Sequence, residues 1–267
     1  ADAGAKVLIC DRDPGGLADS VDRVIRLDTD EYESLLAAVS IDSTTGDVAL
    51  SPDTLAGLFY TGGTTGTSKG VMLTHANLMA NAVHTQLAQP VLLDDRYLTI
   101  APMFHAAGVY AAAVLPWVGA CNVIMGGFDP VETLDTIAAE RITCAIAVPT
   151  MLAAMCETQA SEPRDVSSLR WLSHGASPVA LEVLRRADQL FGCELIHLYG
   201  STELSPLAAV FRHEEQHLDE DRAKSCGQAP PGVDVRIIGP AGDPLAVGAR
   251  GEVAVRGPNV MVGYWNK

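Results

Sequence analysis

No two cysteines in this chain are spaced C-x-x-C. The six cysteines, at positions 10, 121, 144, 156, 193 and 226, carry neither a zinc signature nor the spacing of a disulfide framework, so reduced thiols in a cytoplasmic protein are expected. Positive charge is scarce too: 18 Lys and Arg face 33 Asp and Glu, a net charge of -15. That field repels nucleic acid and anionic lipid, so a phosphate-bearing ligand has to be gripped locally. The opening residues, ADAGAKVLIC, lack an initiator Met and a basic-then-apolar leader; no signal peptide is visible, and the chain reads as a piece of something longer. A membrane span is not expected either. Residues 106–128 are uncharged over enough length to cross a bilayer, but Pro116, Gly119, Asn122, Gly126 and Gly127 divide them into a small-residue helix and a short strand.

What remains is 267 residues, 48% of them apolar, enough to bury a full core. Apolar runs at Lys6–Cys10, Leu55–Tyr60, Tyr97–Ala101, Asn122–Met125, Thr143–Val148, Leu169–Ser173 and Glu194–Leu198 read as strands, most of them continuous as in a sheet covered on both faces. Helical patterns lie between them. Thr74 is placed to cap a helix through about Leu87; Asp129 caps one with Pro130 in its first turn; Pro149 and Pro178 open two more. Alternating strands and helices predict an α/β fold with a largely parallel sheet over residues 1–204. Beyond that, Val233–Ile238 and Glu252–Val255 flank Gly- and Pro-rich turns, predicting a small antiparallel β portion within 205–267.

Between two apolar runs lies LFYTGGTTGTSKGVMLTH, residues 58–75. Glycines let backbone N–H groups converge on phosphate oxygens, Ser and Thr hydroxyls add donors, and a lysine supplies a point charge. Two phosphate motifs fail here. A Walker loop needs Gly-Lys-Ser/Thr, whereas Lys69 follows Ser68 and precedes Gly70. The dinucleotide fingerprint needs a glycine spacing that GGTTGT lacks. An ordinary glycine-rich turn is the plain alternative for this segment taken alone.

The segment YTGGTTGTSKGVMLTH resembles the signature loop of the adenylate-forming superfamily, which includes acyl-CoA synthetases, luciferases and the adenylation domains of peptide synthetases. Three further motifs follow in that family's order: APMFHAAG at 101–108, HLYGSTEL at 197–204 and GEVAVRGPNVMVGYW at 251–265. SHGASP at 173–178 stands in the place of the adenine-side segment, and SCGQ at 225–228 in that of a Gly-containing stretch. The resemblance implies a two-step ligase of the acyl-CoA synthetase branch. A carboxylate attacks the α-phosphate of ATP bound with Mg2+, giving an acyl-adenylate and pyrophosphate; a thiol such as CoA then takes the acyl group. Such a reaction depends on alignment and charge neutralisation.

By that resemblance, Thr61, Gly62, Gly63, Thr64, Thr65, Gly66 and Lys69 would hold the outer phosphates. Glu203 would bind magnesium, an oxygen ligand for a hard cation, and Thr202 would bond the α-phosphate and the substrate carboxylate. Tyr199 would stack on adenine, with Gly175, Ala176, Ser177 and Gly200 close by. His105, with Ala106, Gly108, His197 and Leu198, would face the acyl group. His105 opens a helix, where the dipole favours the neutral ring; a buried structural histidine is the competing reading. Gly62, Ser68, His197 and Leu198 differ from the residues usual at their places. The other histidines receive no role.

An amino-acid-activating domain needs an acid near the PMFH segment to hold the substrate ammonium, and residues 97–128 contain no Asp or Glu. A fatty or aromatic carboxylic acid is therefore the expected substrate. The family's later Thr-Gly-Asp, hinge and lysine-bearing domain are not in this sequence, so the piece by itself is expected to turn over poorly. A non-catalytic nucleotide-binding or scaffold role, or an amino-acid-adenylating domain, stays open as an alternative.

Overall fold

A computed structural model describes residues 2–40, 49–62, 68–212, 222 and 225–267. Two compact units make up the chain, Ala1–Thr54 and Leu55–Lys267. In the first, β1 (Val7–Cys10) and β2 (Arg23–Arg26) pair in parallel, and α1 (Asp30–Ala38) follows, capped by the Thr29 hydroxyl on the Glu31 amide. The β2 segment, RVIR, escapes the sequence reading because its charged ends interrupt the apolar run.

The second unit opens with β3 (Leu55–Thr61) and β4 (Lys69–Thr74), paired antiparallel. Leu55–Tyr60, expected in the parallel sheet, thus belongs to a separate sheet. The short connection over residues 62–68 cannot make a parallel crossover, which takes a dozen residues or more. Then come α2 (His75–Ala88), β5 (Arg96–Thr99), α3 (Ala106–Val118), β6 (Cys121–Ile124), α4 (Pro130–Glu140), β7 (Cys144–Ala147), α5 (Pro149–Ser161), β8 (Trp171–Gly175), α6 (Leu181–Phe191), β9 (Glu194–Gly200) and β10 (Leu207–Phe211). After them β11 (Asp234–Ile238) and β12 (Glu252–Arg256) pair antiparallel as expected, and β13 (Gly263–Tyr264) joins β4.

The central sheet runs β10-β9-β8-β7-β5-β6, parallel throughout except for β10, which turns back antiparallel on β9. Its faces carry two apolar clusters, one around Leu98, Leu134, Ile142, Met155, Leu172 and Leu195, the other around Tyr97, Val114, Leu115, Trp171 and Ile196. All five residues of β8 are buried, as a strand covered on both faces should be. Parallel strands end together at one edge of a sheet, and that edge is where an α/β fold forms a cleft.

Caps fix the helix starts. Thr74 and Asn77 form a reciprocal capping box at the start of α2. The Asp129 carboxylate accepts from the amides of Val131 and Glu132 ahead of Pro130. Pro149 opens α5 as expected, whereas Pro178 does not open α6, which begins at Leu181 after Ala180. Among the described residues no helix is long and apolar enough to cross a membrane. Pro116 lies inside α3, and Gly119 ends it in a left-handed turn.

Candidate active site

A cavity of about 380 Å³ opens where β7, β8 and β9 end, with Ile146, Gly175, Ala176, Tyr199, Thr202 and Leu207 among its walls. Backbone closeness shapes this wall. A Cβ on Gly175 would lie 2.4 Å from the Leu198 carbonyl oxygen, and one on Gly200 would lie 1.7 Å from the Pro206 carbonyl oxygen, so neither position admits a side chain. Ala176 holds a left-handed backbone with φ of 69°, uncommon for a residue bearing a Cβ, which turns the chain across the cavity mouth. Ser177 follows, exposed and outside the lining, as the chain leaves toward α6.

His105 also lines the cavity, at the N-cap of α3, where its side chain makes no capping bond. Its ring leans on Phe104, with centroids 4.8 Å apart. Gly108, buried in the first turn of α3, packs on the Pro102–Met103 backbone: a Cβ there would sit 2.4 Å from the Met103 Cα. The side chain of Ala106 lies outside the described residues. Leu198 lines the cavity. Its neighbour His197 does not, and instead stacks on His174 of β8 with ring centroids 5.0 Å apart. Burial, more than the neighbouring His197, pushes the His174 imidazole down to about 3, and burial also lowers His197, so both rings are neutral.

Beside the cavity, the residue after Thr202 brings in charge. Burial would raise the Glu203 carboxyl, but its own backbone amide, the Ser201 and Tyr264 hydroxyls and the Lys69 charge outweigh that and leave it below its usual range. The Tyr264 hydroxyl donates to Glu203 Oε1 at 2.8 Å. Lys69 Nζ lies over the face of the same tyrosine, 5.1 Å from the ring centroid. Lys69, Glu203 and Tyr264, far apart in sequence, therefore share one corner.

Backbone pairing builds that corner. Tyr264 stands opposite Val71 in the β13–β4 register, and the Trp265 amide donates to the Gly70 carbonyl at 2.7 Å. The Met261 amide donates to the Glu203 carbonyl at 2.8 Å. Asn259, fully buried, donates its amide to the Leu204 and Leu207 carbonyls, while Asn77 of α2 donates to Pro258 and Val260. Thr61 closes β3 opposite Lys69 in register, and Gly62 follows it. Gly63, Thr64, Thr65 and Gly66 lie outside the described residues.

Thus Gly175, Ala176, Leu198, Tyr199, Gly200, Thr202 and His105 meet at one cavity, and Lys69 and Glu203 meet at a corner that adjoins it through Thr202. Sequence reasoning missed Tyr264, although it lies in the quoted GYW segment, and missed Thr85 and Met151 on the cavity wall. Among the described residues no three His, Cys, Asp or Glu side chains cluster as a metal-ligand set. A cation at Glu203 would have to draw its remaining ligands from a bound substrate and water.

The family described as AMP-binding enzyme matches residues 1–265. Indoleacetate–CoA ligase of Aromatoleum aromaticum is 37% identical over 236 residues, which cover 88% of this chain and 45% of that protein. Feruloyl-CoA synthase of Amycolatopsis sp is 35% identical over 272 residues, covering 100% of this chain and 53% of that one. Among solved structures, o-succinylbenzoate coenzyme A synthetase from Bacillus subtilis, in complex with ATP and magnesium ion, superimposes with a TM-score of 0.86 at 27% identity, over 100% of this chain and 53% of that chain. A long-chain-fatty-acid-CoA ligase from Archaeoglobus fulgidus gives a TM-score of 0.87 at 29% identity, covering 56% of its own chain. The chain spans about half the length of the relatives it matches.

Proposed function

We infer, from a chain that belongs to the AMP-binding enzyme family, that the whole protein is an acid–thiol ligase which adenylates a carboxylic acid with ATP and passes the acyl group to CoA. The observation that carries this reading is the corner in which Lys69, Tyr264 and Glu203 meet beside the cavity of Thr202 and Tyr199. A single cation and a single carboxylate held apart on one aromatic ring suit a polyanion that arrives with a counter-cation.

In this reading the adenine lies against Tyr199 and the backbone of Gly175 and Ala176, which line the cavity together and offer a flat ring an aromatic face. Lys69 binds an outer phosphate oxygen, with Thr61, Gly62 and the following loop residues adding donors. Glu203, already ionised, is the residue that would hold Mg2+; a hard cation there supplies charge neutralisation at the phosphates. Thr202 donates to the α-phosphate and aligns the substrate carboxylate for attack. His105, whose side chain makes no capping bond at the start of α3, is placed to hydrogen-bond the acyl carboxylate.

Relatives acting on indoleacetate, ferulate and fatty acids support an aromatic or fatty acid as substrate. The absence of an acidic residue from 97–128 supports it over an amino acid, whose ammonium would lack a partner. All six cysteines are free thiols, which supports a reducing, cytoplasmic setting. The test is exchange of labelled pyrophosphate into ATP by the full-length protein, with and without aromatic, fatty and amino acids. Exchange that depends on an aromatic or fatty acid is expected; ATP hydrolysis indifferent to any acid would overturn the reading.

A further inference from the structure

We propose that Tyr264 is a positioning residue that holds the Glu203 carboxylate in its metal-binding orientation while keeping Lys69 off it; this rests on the functional reading above. Its hydroxyl donates to one carboxylate oxygen of Glu203, Oε1, at 2.8 Å, and Lys69 Nζ stands over its ring, 5.1 Å from the centroid. One side chain thus presents an edge donor to the anion and a π face to the cation.

Two opposite charges so near each other have an obvious alternative, a direct ion pair. Such a pair would neutralise both groups and turn both away from an incoming phosphate chain and its counter-cation. No such pair forms among the described residues; Lys69 stands over the ring and Glu203 takes the hydroxyl instead. The hydrogen bond to Oε1 joins the Ser201 hydroxyl and the residue's own amide in orienting the carboxylate, which keeps lone pairs for a hard cation. The ring face satisfies the ammonium weakly enough for a phosphate oxygen to take over.

Tyr264 can do this because its own place is rigidly set. It sits in β13 opposite Val71, two residues from Lys69, and the next amide, of Trp265, bonds to Gly70. Gly70 is buried beside the Tyr60 ring: a Cβ there would come within 3.2 Å of that ring and 3.3 Å of the Trp265 Cβ. On the other side the Met261 amide holds the Glu203 carbonyl, and the Ser205 hydroxyl donates to the Asn259 carbonyl at 2.8 Å. The segment 259–265 is therefore a strap that ties the turn bearing Glu203 to the strand bearing Lys69, and the side chain of Tyr264 touches both charges.

The experiment compares full-length wild type with Tyr264→Phe, which keeps the ring under Lys69 and removes only the hydroxyl. Mn2+ affinity in the presence of ATP, read by electron paramagnetic resonance, should weaken about tenfold, the order expected for losing a hydrogen bond to a charged group. ATP affinity measured without divalent cation should change less than twofold, a split that general loss of structure would not produce. Tyr264→Leu, which also removes the π face, should weaken metal-free ATP binding as well. Unchanged Mn2+ affinity in Tyr264→Phe overturns the proposal, as does an equal loss with and without metal. If Tyr264→Phe lowers the urea midpoint enough to cloud these values, fluorotyrosine at 264 keeps ring and hydroxyl. Its fluorine resonance should move when Mg2+ is added to the ATP complex, and a stationary resonance overturns the proposal. Acid-dependent pyrophosphate exchange by wild type is measured alongside; its absence counts against the functional reading, whereas exchange with unaltered metal affinity in Tyr264→Phe counts against this inference alone.

Discussion

Replacing His174 by Gln should make the protein less sensitive to acid. His174 is 1% exposed, and neither ring nitrogen has a hydrogen-bond partner among the described residues. It lies flat against His197, with an interplanar angle of 25°. A proton on it would be buried, unpaired and beside a second imidazole, and its pKa falls from 6.5 to about 3, chiefly through burial and then through His197. The folded value lies below the unfolded one, so below about pH 6.5 the unfolded chain takes up a proton that the folded chain refuses. Stability is therefore untouched above that pH and is lost progressively as the pH falls toward 3. At about 1.4 kcal/mol per pH unit, moving from about pH 7 to about pH 5 removes roughly 2 kcal/mol through this one residue. Urea unfolding of wild type and His174→Gln at both pH values isolates that amount, because carboxylates and His197 titrate in both proteins. The variant's unfolding free energy should fall by roughly 2 kcal/mol less than that of wild type. Equal losses in the two proteins would refute the reasoning.

Other outcomes follow from the same contacts. Glu203→Gln should abolish acid-dependent pyrophosphate exchange and Lys69→Ala should weaken it, each without a large change in urea midpoint. Gly200→Ala sets a Cβ 1.7 Å from the Pro206 carbonyl oxygen, so it should cost about 3 kcal/mol or more in urea unfolding. Asp95 is buried and bonded to Arg170, the Thr143 hydroxyl and the Leu92 amide; Asp95→Ala should cost about 2 to 3 kcal/mol, less than for a fully buried pair because Arg170 is 39% exposed and can hydrate. With a thiol reagent, exposed Cys121 and Cys226 should react before unfolding. Buried Cys144 and Cys193, pushed up to about 12, and Cys156, pushed up to about 11, should react only after it.

The sequence disclosed those parts of the fold whose causes are local. Thr74 and Asp129 announce helix starts because a cap needs only a side-chain oxygen and the next turn's amides. The runs at β7, β8 and β9 are legible because strands covered on both faces have no polar side to interrupt them. Pairing is different, being a relation between distant segments. The run VMLT after Lys69 looks like a flank of the glycine loop until β4 is seen between β3 and β13. Pro178 carries a helix-start signal, yet Ala180 is still extended and α6 begins only at Leu181. At the site, Thr202, Glu203 and Tyr199 could be singled out by motif. Tyr264 could not, because its role arises only when β13 is laid beside β4 and the strap reaches back to Glu203. The stacking of His197 on His174 is equally invisible, set by the side-by-side register of β8 and β9.

A crystal structure of the full-length protein with ATP and Mg2+ is the deciding measurement. Adenine should lie against Tyr199 and the phosphate chain between Lys69 and Glu203, with the cation on the Glu203 carboxylate. Phosphates bound elsewhere, with Lys69 and Glu203 both free of the nucleotide and its cation, would contradict it.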